Sequence, residues 1–219
     1  MLPAPATAFL VVRHGETFWN IDGRIQGHLD SRLTPAGRAQ AAAVAERLAV
    51  ERLDALYSSD LGRARETAAP IAAATGLDPV FDASLRERTY GIFESLTWTE
   101  IEARHPAEFA RLATRDPSYV VPQGESAIAF RERLLAAFAD LAERHAGGRI
   151  AVITHGGALG MLYRAATGMP LDAPRDYPLP NAAINRFAWR AGTLALEAWG
   201  EVAHLDVVRE AGVDSRDTI

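Results

Sequence analysis

The chain has 219 residues, 48% apolar and 23% charged, the composition of a soluble globular protein long enough to bury a sizeable core without cross-links. A net charge of −5 speaks against a broad nucleic-acid-binding face, and 17 Gly and 12 Pro are too few for low-complexity sequence. There is no cysteine, and all 23 basic side chains are arginine; disulfides, zinc–thiolate sites, thiol nucleophiles, Schiff bases and a P-loop lysine are excluded.

In chain order, Phe9 to Val12 is a short apolar run that suits a buried strand, following a loose leader and ending in Arg13-His14-Gly15. A Gly-, Asp- and His-containing loop runs to Arg32. Thr34 and Pro35 then open a helix as N-cap and first-turn proline, reaching about Arg52. Ala55 to Tyr57 reads as a second strand. Asp60 is expected to cap the next helix, residues 61–75, which Gly76 closes and Pro70 should kink or interrupt. Pro79 to Phe81 is a third strand. Residues 90–125 are the least regular part, with a capping box at Thr97 and Glu100. A long amphipathic helix follows over residues 126–145, with Leu134, Leu135, Phe138 and Leu141 on one face. Ile150 to Ile153 is the fourth strand, followed by His155-Gly156-Gly157 and a helix to Gly168. Residues 183–189 and 193–199 form a closing hairpin around Ala191-Gly192.

Strands alternating with helices predict an α/β fold of three layers, α/β/α, with a mostly parallel mixed sheet of about six strands. A single domain over residues 1–219 is expected, with a helical, cap-like insert at about 92–125. No run is apolar and long enough to cross a bilayer. The N-terminal segment lacks a basic region and its apolar run is cut by Arg13 and His14, so a signal peptide is not expected and the cytoplasm is the default location.

Polar residues just past the carboxyl ends of parallel strands are where such sheets place function. Arg13 and His14, Asp60 to Arg63, Glu87, and His155 occupy those positions here. Two guanidinium groups match the oxygens of a tetrahedral oxyanion, so paired arginines beside paired histidines point to a phosphate site. A neutral imidazole next to two arginines has a lowered pKa and is free to attack phosphorus.

These residues sit in motifs that resemble the histidine phosphatase superfamily, with its phosphoglycerate mutase-like fold. The resemblance rests on Arg13-His14-Gly15-Glu16-Thr17 with Trp19-Asn20, and on Gln26-Gly27-His28 before Leu33-Thr34-Pro35-x-Gly37-x-x-Gln40-Ala41. It continues through Ser58-Ser59-Asp60-Leu61-x-Arg63-Ala64-x-x-Thr67, Leu85-Arg86-Glu87-Arg88-x-Tyr90-Gly91, Gly124-Glu125-Ser126, Thr154-His155-Gly156-Gly157 and His204-Leu205. The resemblance implies His14 as the nucleophile of a phosphohistidine intermediate, with Arg13, Arg63 and His155 holding the phosphoryl oxygens. Glu87 would protonate the leaving oxygen and then deprotonate water. Asn20, Gln26 and the Gly156 amide would complete the phosphate pocket, Gly156 opening a helix whose N-terminus favours an anion. Tyr90 is a candidate substrate contact. No metal and no organic cofactor is implied.

The implied activity is hydrolysis of a small phosphorylated metabolite, with no nucleic acid or membrane partner and a homodimer as the oligomer that relatives often form. The first alternative is a 2,3-bisphosphoglycerate-dependent phosphoglycerate mutase; the second is an inactive phospholigand-binding module. Two positions depart from the family: Ser95 follows Gly91-x-x-Glu94 where Gly is frequent, and Gly157 stands where mutases usually have Asn. Family mutases also carry a longer insertion between the acid and the second histidine, with extra arginines that hold the substrate carboxylate; Arg104, Arg111 and Arg115 would serve only in part here, since the insert is short. Trp98 and Trp189 read as packing residues, and His28 as a loop or pocket-rim residue.

Overall fold

The computed structural model describes residues 6–210; residues 1–5, which hold most of the expected leader, and 211–219 lie outside it. Strands β1 (Thr7–Arg13), β2 (Ala55–Ser58), β3 (Pro79–Phe81), β4 (Arg149–Thr154), β5 (Ile184–Arg190) and β6 (Thr193–Glu201) form one sheet in the order β3-β2-β4-β1-β5-β6. β3, β2, β4 and β1 are mutually parallel, while β5 runs antiparallel to both β1 and β6. The sheet is therefore mixed, with its parallel half carrying the N-terminal motifs.

Period-two alternation in β1 sorts its apolar residues between two cores. Leu10 and Val12 pack with Val44 and Leu48 of α2 (Pro35–Ala49, after the four-residue α1, Phe18–Ile21) and with Ala68 and Ile71 of α3 (Gly62–Thr75). Phe9 and Val11 face the other way, against Phe138 and Leu141 of α6 and Leu159 and Leu162 of α7. Those two helices span Ala127–Arg144 and Gly156–Thr167, with α4 (Trp98–Arg104) and α5 (Pro106–Ala113) before them and α8 (Asp206–Glu210) after. The result is the expected sandwich of helices on both faces of the sheet.

Local signals explain most boundaries. The Thr34 hydroxyl accepts from the Gly37 amide ahead of Pro35, and Ser126 does the same for Ala129. Gly76 and Gly168 close α3 and α7 in the left-handed region, at φ 72° and 74°. Ala191 and Gly192 turn the hairpin with both φ values positive, 48° and 80°.

Three expectations are corrected. Asp60 does not cap α3: Leu61 is the N-cap with no side-chain bond, and the Asp60 carboxylate instead receives both Nε and Nη2 of Arg86 at 2.6 Å. α3 also passes through Pro70 as one continuous helix. Trp98, read as packing, begins α4 at 51% exposure. α4 follows the capping box formed by Thr97 and Glu100, and its Ile101 joins Phe93, Tyr119 and Val121 in a small satellite core.

Candidate active site

The carboxyl ends of β1, β2 and β4 lie side by side, since Arg13 pairs with Thr154 and Ser58 with Ile153. Arg13-His14, Ser58-Ser59 and Thr154-His155 therefore emerge together, and Glu87 joins them through the 3₁₀ turn Ala83–Leu85 after β3. A cavity of about 390 Å³ opens at this edge. Arg13, His14, Asn20, Gln26, Arg63, Glu87, Tyr90 and Gly156 all line it. His155 is fully buried and does not; it lies beside the cavity with its ring centroid 5.3 Å from that of His14.

His14 is 3% exposed, and its Nδ1 lies 2.8 Å from the Gly15 carbonyl oxygen. A carbonyl only accepts, so Nδ1 carries the proton and Nε2 keeps the lone pair. Burial, then Arg63 and Arg13, hold the His14 pKa well below the ordinary histidine value, so the ring is neutral. The loop that presents it is pressed onto α2. A Cβ on Gly15 would overlap the Gly37 carbonyl oxygen and sit 3.1 Å from its carbon, which only glycine avoids.

Arg63, 2% exposed, has nearly all its donors engaged. Nη1 donates to Leu29 O and Asp30 Oδ1, each at 2.8 Å, Nη2 to Gly27 O at 2.8 Å, and Nε to His155 Nδ1 at 3.2 Å. A guanidinium always donates, so His155 Nδ1 is unprotonated and Nε2–H is left to donate to Ser59 Oγ at 2.8 Å. Burial, reinforced by Arg63, keeps this second imidazole neutral as well. One Nη2 hydrogen of Arg63 remains without a partner. Arg13 is the opposite case. Its Nη1 donates to the Leu179 carbonyl, but its Nε is buried with no partner. Burial pulls its pKa to about 10, and it stays cationic at neutral pH.

The Glu87 carboxylate is held by two main-chain amides, Gly157 N to Oε2 at 2.7 Å and Arg88 N to Oε1 at 2.8 Å. Neither neighbouring arginine pairs with it: Arg86 goes to Asp60, and Arg88 donates to the carbonyls of Glu125 and Tyr119. Arg133 fastens the loop from beneath, with Nη2 on both the Glu87 carbonyl (3.2 Å) and the Glu125 carboxylate (2.7 Å). His28 is not among the cavity-lining residues; its Nε2 contacts the same Glu87 carbonyl at 2.9 Å. Glu94 ties the loop to residues 28–29, accepting from the amides of His28, Leu29 and Tyr90. Ser95, the departure from the family's glycine, adopts φ 69°, the left-handed conformation that glycine fills without strain.

Asn20 and Gln26 hang on Thr17. The Thr17 amide and Asn181 Nδ2 donate to Asn20 Oδ1 (3.0 and 3.2 Å), leaving the Asn20 NH₂ for a ligand. Gln26 Nε2 donates to the Thr17 hydroxyl at 2.9 Å, while its Oε1 is buried without a partner.

Sequence reading did not single out Arg24, Ile25, Met161, Arg164, Arg175, Tyr177 or Leu179, which also line the cavity, nor assign Trp98 to it. For Met161 and Arg164 a signal existed: Gly157, Gly160, Met161 and Arg164 share one face of α7 at helical spacing. Arg175 and Tyr177 lie in the irregular segment between α7 and β5, where no periodicity marks them.

Paired arginines and neutral imidazoles at one cavity have the chemistry to hold and transfer a phosphoryl group. The chain belongs to branch 1 of the histidine phosphatase superfamily, whose family model matches residues 9–202. It is 39% identical to phosphoglycerate mutase-like protein 4 of Arabidopsis thaliana over 201 residues, 90% of this chain and 86% of that one. It is 37% identical to the metal-independent phosphoserine phosphatase of the same plant, over 92% of this chain and 84% of the relative. Among solved structures, YhfR of Bacillus stearothermophilus superposes with a TM-score of 0.84 at 32% identity, covering 91% of this chain and 99% of that chain. Among the described residues no helix is long and apolar enough to cross a membrane.

Proposed function

We propose that this protein hydrolyses a small phosphorylated metabolite through a phosphohistidine on His14. The observation that carries the reading is the tautomer of His14: with Nδ1–H donated to Gly15 O, the lone pair on Nε2 belongs to a buried, neutral ring that shares a cavity with Arg13, Arg63 and Glu87. The phosphoryl oxygens would take the unpartnered Nε of Arg13, the remaining Nη2 hydrogen of Arg63, the Asn20 NH₂ and the Gly156 amide at the N-terminus of α7. A half-turn of the Gln26 amide would turn Nε2 toward the anion in place of its orphan oxygen. Tyr90 would touch the rest of the substrate. His155, with one nitrogen on Arg63 and the other on Ser59, acts by fixing Arg63 in place.

In the first half-reaction Nε2 of His14 attacks phosphorus, and the bond to the ester oxygen breaks as protonated Glu87 gives that oxygen its proton. In the second, Glu87 takes a proton from water as the oxygen attacks, and the P–N bond breaks to return neutral His14 and inorganic phosphate. The protein's own guanidinium groups supply the charge stabilisation in both steps. A small-molecule phosphate ester in the cytoplasm, where such metabolites are held, is the partner this reading implies.

A phosphoglycerate mutase uses the same first step but must keep water from the phosphohistidine. The names of several relatives favour that reading. Against it, the insert between Glu87 and α6 contributes helices of only 7 and 8 residues. None of its arginines Arg104, Arg111 and Arg115 lines the cavity; Arg104 faces Glu100 and Arg111 lies over Tyr119. Incubation with 3-phosphoglycerate, with and without 2,3-bisphosphoglycerate, tests the choice. Release of phosphate faster than formation of 2-phosphoglycerate is expected. Bisphosphate-dependent interconversion with negligible release would make the protein a mutase.

A further inference from the structure

The cavity holds more positive charge than a phosphoryl group uses. Of the five arginines lining it, Arg63 is paired with Asp30, Arg24 with Glu100, and Arg13 faces the phosphoryl position. Arg164 and Arg175 are left. Arg164 is buried on α7 and meets no carboxylate; it donates to the carbonyls of Pro170 and, at 2.9 Å, Ala173. Those bonds fasten the segment that carries Arg175. The Arg175 side chain is exposed at the cavity wall and forms no ion pair or hydrogen bond among the described residues, although its charge reaches the half-buried Arg13 and Tyr90 and the buried Tyr177. Glu87 is the one carboxylate among the lining residues, and it faces the ester bond.

A free guanidinium on an anchored loop, lining the same cavity as the proposed phosphoryl site, is a receptor for a second anion. Building on the phosphatase reading, we propose that Arg175 binds a second acidic group at the end of the substrate away from the phosphoryl group, on the anchor that Arg164 provides. The substrate class is then an acidic phosphomonoester, bearing a carboxylate or a second phosphate. Glu87 apart, the cavity lining offers no carboxylate with which a neighbouring ammonium group would pair.

Matched probes test this. 3-Phosphoglycerate and glycerol 3-phosphate share a three-carbon skeleton and differ at one end, carboxylate against hydroxymethyl. Fructose 1,6-bisphosphate and fructose 6-phosphate differ by the second phosphate. The expected result is a kcat/KM ratio favouring the acidic member of at least one pair by about tenfold or more, carried in KM, and cut about tenfold by Arg175→Met but largely kept by Arg175→Lys. Which pair responds tells carboxylate from phosphate. Equal rates within both pairs, or a preference that Arg175→Met leaves intact, overturns the proposal. The same ratio is measured as Kd on His14→Ala protein by calorimetry, which requires no turnover. Nitrophenyl phosphate, which lacks a second acid, reports the phosphatase reading separately: no phosphate release from it, with the Kd ratio intact, would sink that reading and leave the acid site standing.

Discussion

The Glu87 carboxylate rests on the backbone of Gly157: the Gly157 amide donates to Oε2 at 2.7 Å, and a Cβ at position 157 would overlap Oε1 and come within 2.8 Å of Cδ. Glycine is required here by close approach, since the residue's φ is not in the positive range. The atom in the way is the tip of a flexible side chain, so a methyl group would displace the carboxylate without disrupting the core. Gly157→Ala is therefore expected to change Tm by only a few degrees while kcat on an alkyl phosphate falls toward the loss seen without the acid. A folded Gly157→Ala enzyme with wild-type kcat would show that the carboxylate need not sit there.

Glu87→Gln keeps the shape and removes the transferable proton. General acid catalysis of roughly 10²–10⁴-fold should vanish for alkyl phosphates, whose leaving oxygen must be protonated. Nitrophenolate leaves without help, so its phosphoryl transfer should lose far less. Equal losses on both substrates would reduce Glu87 to an organiser of its loop.

The two buried imidazoles make stability pH-dependent. Both His14 and His155 are held well below the ordinary histidine value, first by burial and next by Arg63. Their stabilising neutrality is complete above the unfolded pKa near 6.5. Below it the unfolded chain binds protons that the native rings refuse, so stability falls as pH falls, by up to about 1.4 kcal/mol per pH unit for each ring. Urea midpoints between about pH 7 and pH 5 should drop accordingly, and His14→Asn should flatten the slope. An unchanged slope in His14→Asn would mean that His14 takes up its proton in the native state too.

The architecture was largely legible in the sequence because its signals are local. Thr34-Pro35, Ser126 and the Thr97–Glu100 box mark helix starts through bonds spanning three residues, and the run from Phe9 to Val12 marks a strand buried on both faces. What was not legible depends on distant partners. Asp60 looks like a cap until Arg86, far along the chain, takes both its oxygens. Nothing near Arg133 says that it will hold the loop of Glu87, and nothing near Arg175 says that it will line the same cavity as Arg13. The four-residue α1 is too short to show a period, yet its capping box on Thr17 and Asn20 sets the wall of the cavity. The two partners of His155 are likewise distant in the chain, Arg63 on one nitrogen and Ser59 on the other.

The most direct test is to trap the intermediate. Quenching the enzyme in alkali during turnover of a ³²P-labelled phosphomonoester should leave label that alkali spares and acid removes, as a phosphoramidate requires, on the peptide containing His14. His14→Ala should abolish labelling and hydrolysis together. Label on another residue, or hydrolysis that survives in His14→Ala, would contradict the account.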